Sequence, residues 1–340
     1  TTMNTQIPSH IYTAVTEAKH ILLIPHQHPD GDALGAVTAF AQWLESLHIS
    51  HAIFCATSVS PQLDYLPQVH TISSSIQLWQ DPRLDMVILF DSGDLHYAGV
   101  DTYIEQLTQP VTIINIDHHK TNQGYGTINL VPKNASSTSE IVHDFFHVNN
   151  IVITKDMATS LLTGIIFDTD NFTNSATTEH AMDVASKLVH LGADFNHIKE
   201  RMYKHMPVAA FPLWGQIFSR MKKHDALNLV YTYLTHQDLT QHGIDPEAMS
   251  GLSNFMNSVH DGYAGLVLKE TPEKTTKGSF RTTRDDVDVS LMAQHFGGGG
   301  HKKAAGFHIE KPIEEAIGFI LSELELLFPK GILEPLPEEI

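Results

Sequence analysis

A single cysteine, Cys55, stands in a chain of 340 residues, so no internal disulfide can form and a reducing cytoplasm is the expected home. No run approaches the ~20 apolar residues that a membrane span requires. The opening Thr1–Ser9 is short and polar, and no signal peptide is expected there. Basic side chains are scarce as well: 21 Lys and Arg against 39 Asp and Glu give a formal net charge of −18. That balance argues against a coat protein for nucleic acid held through phosphate contacts, and long duplex nucleic acid is not an expected partner.

The scarcity is uneven. Lys19, Arg83, Lys120 and Lys133 are the only Lys or Arg in the first 150 residues, whereas seven of the 21 fall between Lys269 and Lys303. An anion handled by the first half would need bound cations to attract it, while the second half carries its own. At 42% hydrophobic and 18% charged the composition is that of a globular protein, and the length suggests two domains.

Apolar patterning gives the fold class. Ile21–Pro25, His51–Cys55, Met86–Phe90 and Val111–Ile116 read as short strands, with Leu34, Val37, Phe40, Ala41 and Leu44 at helical spacing between the first two and a helix expected at Tyr97–Leu107. Strand alternating with helix predicts an α/β fold, an N-terminal mostly parallel sheet with flanking helices. Beyond Val131 the pattern becomes helical at Ser139–Phe146, Asp156–Ile166 and Ala181–Leu191, and a further helical stretch is expected from Pro207 to Lys223. A new β-rich segment opens at Leu227–Leu234. The expected division is a catalytic domain over residues 1–194, a helical linker over 195–222 and a smaller α/β C-terminal domain over 223–340, with the active site in the cleft between the domains.

Carboxylates and histidines follow the strands. His26-Gln27-His28-Pro29-Asp30-Gly31-Asp32 closes the first, Asp91 the third and Asp117-His118-His119 the fourth, and Asp168 interrupts an apolar helix-like run. Alone, Asp32 would read as the cap of the next helix and Asp91-Ser92-Gly93-Asp94 as a turn. Together the set is harder to dismiss, because ligands gather beyond the carboxyl ends of parallel strands and a buried unpaired carboxylate is costly. His26, Asp30, Asp32, Asp91, His118 and Asp168 supply the six oxygen and imidazole donors that a site for two divalent ions needs. Mn²⁺, Fe²⁺ and Co²⁺ all suit this mixture. The chain has 23 histidines, so most must be unrelated to any metal, and nothing in the spacing requires His28 as a ligand.

A second constellation is Gly297-Gly298-Gly299-Gly300-His301-Lys302-Lys303-Ala304-Ala305-Gly306-Phe307. Four glycines can make a flexible loop or let backbone N–H groups close around an anion. The run follows Val287–Phe296, amphipathic at helical spacing, and Arg281 and Arg284 lie upstream, suited to phosphate. A phosphate or nucleotide cradle is the expected role of Arg281, Arg284, Gly298, Gly299, Gly300 and His301.

These motifs resemble the DHH-family phosphoesterases with a DHH-associated C-terminal domain, in the bacterial nanoRNase and pAp-phosphatase branch. The resemblance spans nearly the whole chain and rests on His26–Asp32, Phe90-Asp91-Ser92, Asp117-His118-His119, Gly164-Ile165-Ile166-Phe167-Asp168-Thr169 and Gly298–Gly306. It implies that His26 and Asp30 hold one Mn²⁺, that Asp32, His118 and Asp168 hold the other, and that Asp91 bridges them. Mg²⁺, Co²⁺ or Fe²⁺ could stand in. It implies further that His119 faces the scissile phosphate, that Asp117 orients the histidines, and that Arg281 and Gly298–His301 grip the substrate. Two departures, Asp170 after the fourth motif and Phe280-Arg281-Thr282-Thr283 in place of a Leu-Arg-Ser type of run, touch no expected ligand and bear on substrate preference.

The expectation is a cytoplasmic Mn²⁺-dependent phosphodiesterase or exonuclease on very short oligoribonucleotides such as pApA, with activity also on 3′-phosphoadenosine 5′-phosphate (pAp). The alternatives are a cyclic di-AMP phosphodiesterase and, in another class, a non-catalytic nucleotide-binding scaffold. A homodimer is implied by the resemblance alone.

Overall fold

The computed structural model describes residues 5–174, 176–203, 208, 210–249, 251–329 and 331–332, so parts of the expected linker, including Pro207, and the last eight residues of the expected second domain lie outside the described residues. The chain divides into two compact units, Thr1–Lys204 and His205–Ile340.

The first unit is built on five parallel strands, β1 (Ile21–Pro25), β2 (His51–Ile53), β3 (Met86–Phe90), β4 (Thr112–Ile116) and β5 (Ile128–Leu130), in the order β2-β1-β3-β4-β5. Strands β1 and β3 are buried throughout, as continuous apolar runs in a two-sided parallel sheet should be. The order reverses between β1 and β3, and the carboxyl ends at that switch point carry His26 and Asp91. Helices α1 (Gln6–Glu17), α2 (Gly31–Ser46), α3 (Asp101–Glu105), α4 (Thr138–Val148), α5 (Lys155–Asp168), α6 (Glu179–His190) and α7 (Phe195–Tyr203) complete the unit. Phe40, Phe90, Phe145 and Phe146 pack together in the core beneath α2, α4 and α5, while Phe54, Trp79 and Val100 form a smaller core on the other face.

Two differences from the sequence expectation concern helices. The helix expected at Tyr97–Leu107 is confined to Asp101–Glu105, because Asp94 and Gly99 hold residues before it in turns. Of the stretch expected to be helical up to Lys223, residues Ala210–Ser219 form α8, but Lys222–His224 form an edge strand, β6. Within the expected linker, Ile198 of α7 joins the core of the first unit, and Ala210, Leu213 and Ile217 of α8 join a core of the second.

The second unit adds β7 (Leu229–Leu234), α9 (His236–His242), α10 (Leu252–Phe255), β8 (Ala264–Glu270), β9 (Thr276–Arg281), α11 (Val289–His295), β10 (Gly299–His301), β11 (Ala304–Ile309) and α12 (Ile313–Leu327). Its six strands run β10-β11-β9-β8-β7-β6, antiparallel except for the β7–β8 pair. Leu266, Leu268, Phe280 and Phe307 pack on α11 and α12 from one face, and Val230, Leu234 and Val267 pack on α8, α9 and α10 from the other. Asp238 knits the second face together: it completes a capping box with Thr235 at the start of α9 and accepts from both terminal nitrogens of Arg220, at 2.5 and 2.8 Å.

Two outcomes test this packing. Helices α2 and α5 cross at glycines, and a Cβ at Gly164 would stand 2.0 Å from Ser139 Oγ and 2.6 Å from Asp32 Oδ1. Gly164→Ala should therefore cost about 1–3 kcal/mol by overpacking, whereas Gly215→Ala in α8, which meets nothing within 4 Å, should be neutral or stabilising in the same denaturant titration. Asp238→Asn should cost about 2–3 kcal/mol by stranding the Arg220 guanidinium. Burial would raise the Asp238 carboxyl, but Arg220 and the Thr235 amide hold it at about 2. Its contribution is present above the ordinary carboxylate value of about 4 and is lost as pH falls toward 2, so the two proteins should converge in stability across that window.

Candidate functional site

The expected ligands of the first unit reach one place because each follows a strand end or sits at a helix end. His26 follows β1, Asp91 follows β3, Asp117, His118 and His119 follow β4, and Asp168 is the last residue of α5. The cap of α2 is Asp30, which accepts from the amides of Asp32 at 2.9 Å and Ala33 at 3.1 Å, and not Asp32, which lies within the first turn and is fully buried. Asp91 holds a left-handed backbone with φ of 56°, a conformation that costs an aspartate about 1 kcal/mol and turns its carboxylate toward the site. The turn-forming role in Asp91-Ser92-Gly93-Asp94 falls to Asp94, which accepts from the Tyr97 amide.

Two donor groups result. His26, Asp30 and Asp91 offer one ligand atom each within 4.8 Å of one another, and so do Asp32, His118 and Asp168. Asp91 faces both: Oδ2 lies 3.6 Å from His26 Nε2 and Oδ1 lies 3.4 Å from His118 Nε2. His118 Nε2 is also 3.1 Å from Asp168 Oδ2. The Nδ1 of His26 is bonded to the Gln27 carbonyl at 2.7 Å, which leaves Nε2 as the atom turned to the carboxylates. A third group, Asp91, Asp117 and His119, adjoins them. Here Asp117 Oδ1 pairs with His119 Nδ1 at 2.6 Å, which fixes the orientation of the ring.

The electrostatics favour a bound cation. Burial and the neighbouring Asp91 carboxylate push the Asp32 carboxyl up to about 7. Burial and Asp32 likewise push Asp168 well above the ordinary range. Burial alone would lower the His118 imidazole, yet Asp168 and Asp91 outweigh it and hold the ring well above its usual value. Five carboxylates thus converge with histidines as their ion-pair partners, and a divalent ion would relieve the repulsion directly. Hard oxygen donors mixed with imidazole suit such an ion.

Several residues that support this arrangement escaped the reading of the sequence. The amides of Thr138 and Ser139, at the start of α4, donate to the two oxygens of Asp32 at 2.6 and 2.9 Å, and the Thr138 hydroxyl donates to Asp91 at 3.0 Å. The available signal was the run Ser136-Ser137-Thr138-Ser139-Glu140, which resembles a capping box. Asn122 donates to Asp117 at 2.6 Å, and the Tyr97 ring lies 4.9 Å from that of His26. After Asp168 the residues Asp170, Asn171 and Phe172 are all left-handed, held by the Thr169 hydroxyl and by Asn174, which donates to the Asp168 carbonyl. The first sequence departure therefore forms a turn beyond the carboxylate.

In the second unit the glycine run turns at Gly297 and ends in a strand. Gly299–His301 form β10, paired with β11, and a Cβ at Gly298 would lie 2.1 Å from the Gly306 carbonyl. The expected open cradle is thus a sheet edge, with part of its glycine content explained by packing. Arg281 closes β9 and its Nε donates to Asn254 at 3.1 Å. Arg284 is drawn aside by Asp286 at 2.6 Å and lies 4.6 Å over the Tyr263 ring. Thr282, in the second departure, is buried and bonds to the Tyr263 carbonyl.

Comparison with known proteins agrees with these motifs. Residues 20–165 match the model of the DHH family N-terminal domain, and residues 226–329 match the DHHA1 domain. The bifunctional oligoribonuclease and PAP phosphatase NrnA of Thermus thermophilus is 28% identical over 84% of this chain and 83% of its own length. The cyclic-di-AMP phosphodiesterase PdeA of Listeria monocytogenes is 23% identical over 92% of this chain and 48% of its own length. A crystal structure of an exopolyphosphatase-related protein from Bacteroides fragilis has the same fold, with a TM-score of 0.86, 23% identity, and coverage of 96% of this chain and 98% of that one. No described helix is long and apolar enough to cross a membrane. The chain carries a DHH-family N-terminal domain followed by a DHHA1 domain, and its similarity to proteins named NrnA supports the nanoRNase branch of that family.

Proposed function

We propose that this protein is a cytoplasmic Mn²⁺-dependent phosphodiesterase that degrades very short oligoribonucleotides such as pApA to mononucleotides and also removes the 3′-phosphate of pAp. The observation that carries the reading is the pair of three-residue donor groups with Asp91 turned to both. His26, Asp30 and Asp91 would hold one ion, and Asp32, Asp91, His118 and Asp168 the other. Two divalent cations held there would supply Lewis acidity toward the phosphoryl oxygens and toward a water. We assign catalysis to residues 1–194, substrate binding to 223–340 and the connection to 195–222.

The chain's own residues supply orientation and proton handling. Asp117, fixed by Asn122, holds His119 through Nδ1, and we assign its Nε2 to donate to a phosphoryl oxygen or to move a proton. Thr138 and Ser139 fix Asp32 from behind, as partners of metal ligands do. Arg281 and Gly298–His301 are the residues we assign to the nucleotide, with Arg284 joining them only if it leaves Asp286.

The similarity to a cyclic-di-AMP phosphodiesterase over 92% of the chain favours cyclic di-AMP as a second reading. Turnover of pApA, a five-nucleotide RNA, pAp and cyclic di-AMP, each with and without Mn²⁺, separates them. The proposal expects pApA or the short RNA to be fastest; dominant cyclic di-AMP hydrolysis would replace it. No turnover of any, with nucleotide binding unaffected by chelator, would indicate a scaffold. Asp91→Asn should fold normally by circular dichroism, lose bound manganese and lose turnover by at least about 100-fold, and full retained activity would sink the two-ion assignment.

A further inference from the structure

The strand register of the second unit arranges one face of its sheet as three rows. Pairing sets His301, Ala304, Arg281 and Gly265 side by side across β10, β11, β9 and β8. The next row is Gly299, Gly306, Ser279 and Val267, and the third is His308, Lys277 and Lys269. These positions share a face because side chains alternate along each strand. Phe280, Ala305 and Phe307, on the opposite face, are buried in the core beneath α11 and α12.

Two cationic rows therefore flank a floor of Gly299, Gly306 and Ser279 on β10, β11 and β9, which ends at Val267, buried under α8, α9 and α10. From Arg281 to Lys277 along β9 is four residues, or about 13 Å. That is about two phosphate-to-phosphate steps of an extended strand. Lys269 donates to the Met249 carbonyl at 2.9 Å. Burial, helped by the positive Arg281 and Lys277, holds its ammonium down at about 8. Lys277 is exposed and makes no ion pair among the described residues. His308 bonds to Thr275 at 2.7 Å, with the exposed Glu310 3.7 Å away. Cations crowded on one another in this way are a site for anionic oxygen.

We propose that this face is a nucleotide track with a second phosphate subsite at Lys277 and Lys269, about 13 Å from Arg281, the bases or sugars lying over the small-residue floor. The inference rests on the oligoribonucleotide reading above and adds to it a length preference. A substrate with phosphates to span both rows gains a contact that a mononucleotide cannot make. Lys277 is thus a specificity residue, and it takes no part in bond breaking.

The test measures binding of pApApA, whose phosphates can span both rows, and of AMP to the full chain by calorimetry at several salt concentrations, with pApA turnover in parallel. Lys277→Ala should weaken pApApA binding by about tenfold, leave AMP within twofold, and reduce the slope of log affinity against log salt by about 0.7, the share of one phosphate contact on a single strand. Lys277→Arg should restore both. Unchanged pApApA affinity and salt slope in Lys277→Ala would overturn the inference while leaving pApA turnover, and so the parent reading, intact. Lys277-dependent binding without any turnover would sink the parent reading alone. Failure of the wild-type protein to bind pApApA would sink both.

Discussion

The structure around the candidate site depends on one constraint: five carboxylates, Asp30, Asp32, Asp91, Asp117 and Asp168, are brought together where little water can screen them. Burial first, and then the like charges of neighbouring carboxylates, drive such groups toward the neutral form, which is why Asp32 and Asp168 are both pushed upward. The fold resists that repulsion by geometry. Gly35 and Gly164 let α2 and α5 approach so closely that Asp32 is pressed against Ser139. The start of α4 then presents two amides to Asp32, favouring its ionised form as a helix N-terminus does. Asp91 is held in a left-handed conformation. Stability is given up at each of these positions, and a divalent cation bound there would recover it.

How much of this was legible in the sequence depended on whether the cause was local. A strand that ends in a carboxylate or histidine announces itself, because β1, β3 and β4 are short apolar runs and the polar residue after each has few other places to be. The Asp168 position was legible for the opposite reason, a charge at the end of a helix that is otherwise buried. The cap of α2 was open to misreading because Asp30 and Asp32 are both good caps, and only backbone geometry separates them. Toward Asp32, Thr138 and Ser139 act through backbone amides, which every residue possesses, so the capping-box run marks the start of α4 but not this partner 106 or 107 residues away.

The glycine run illustrates a different limit. Four consecutive glycines are compatible with a nest, a loop or a strand, and the choice was made by Gly306 and Phe307, which pack over Gly298. The short reach of α3 was similarly decided elsewhere, by the Asp94 turn and by Gln27, which fills the space where a Cβ at Gly99 would lie. The edge strand at Lys222–His224 has almost no apolar signature, since it pairs on one side only and is largely exposed. Local propensity is weakest where a strand is short and half of its environment is solvent.

The uneven charge of the chain now has a structural counterpart in each unit taken by itself. In the first, the functional side chains are acids and imidazoles, and an anionic substrate could be attracted only through ions those acids hold. In the second, Lys269, Lys277 and Arg281 stand on one sheet face and keep their positive charge close together against their own repulsion. A metal site and a cationic track solve the same problem by different means. Metal ions concentrate charge at the bond to be broken, where it stabilises a transition state. Lysines and arginines spread charge over the length of a strand, where it sorts ligands by how many phosphates they carry. An enzyme for short oligonucleotides needs both, because the bond it cuts is common to every RNA and length is the property by which its substrates differ.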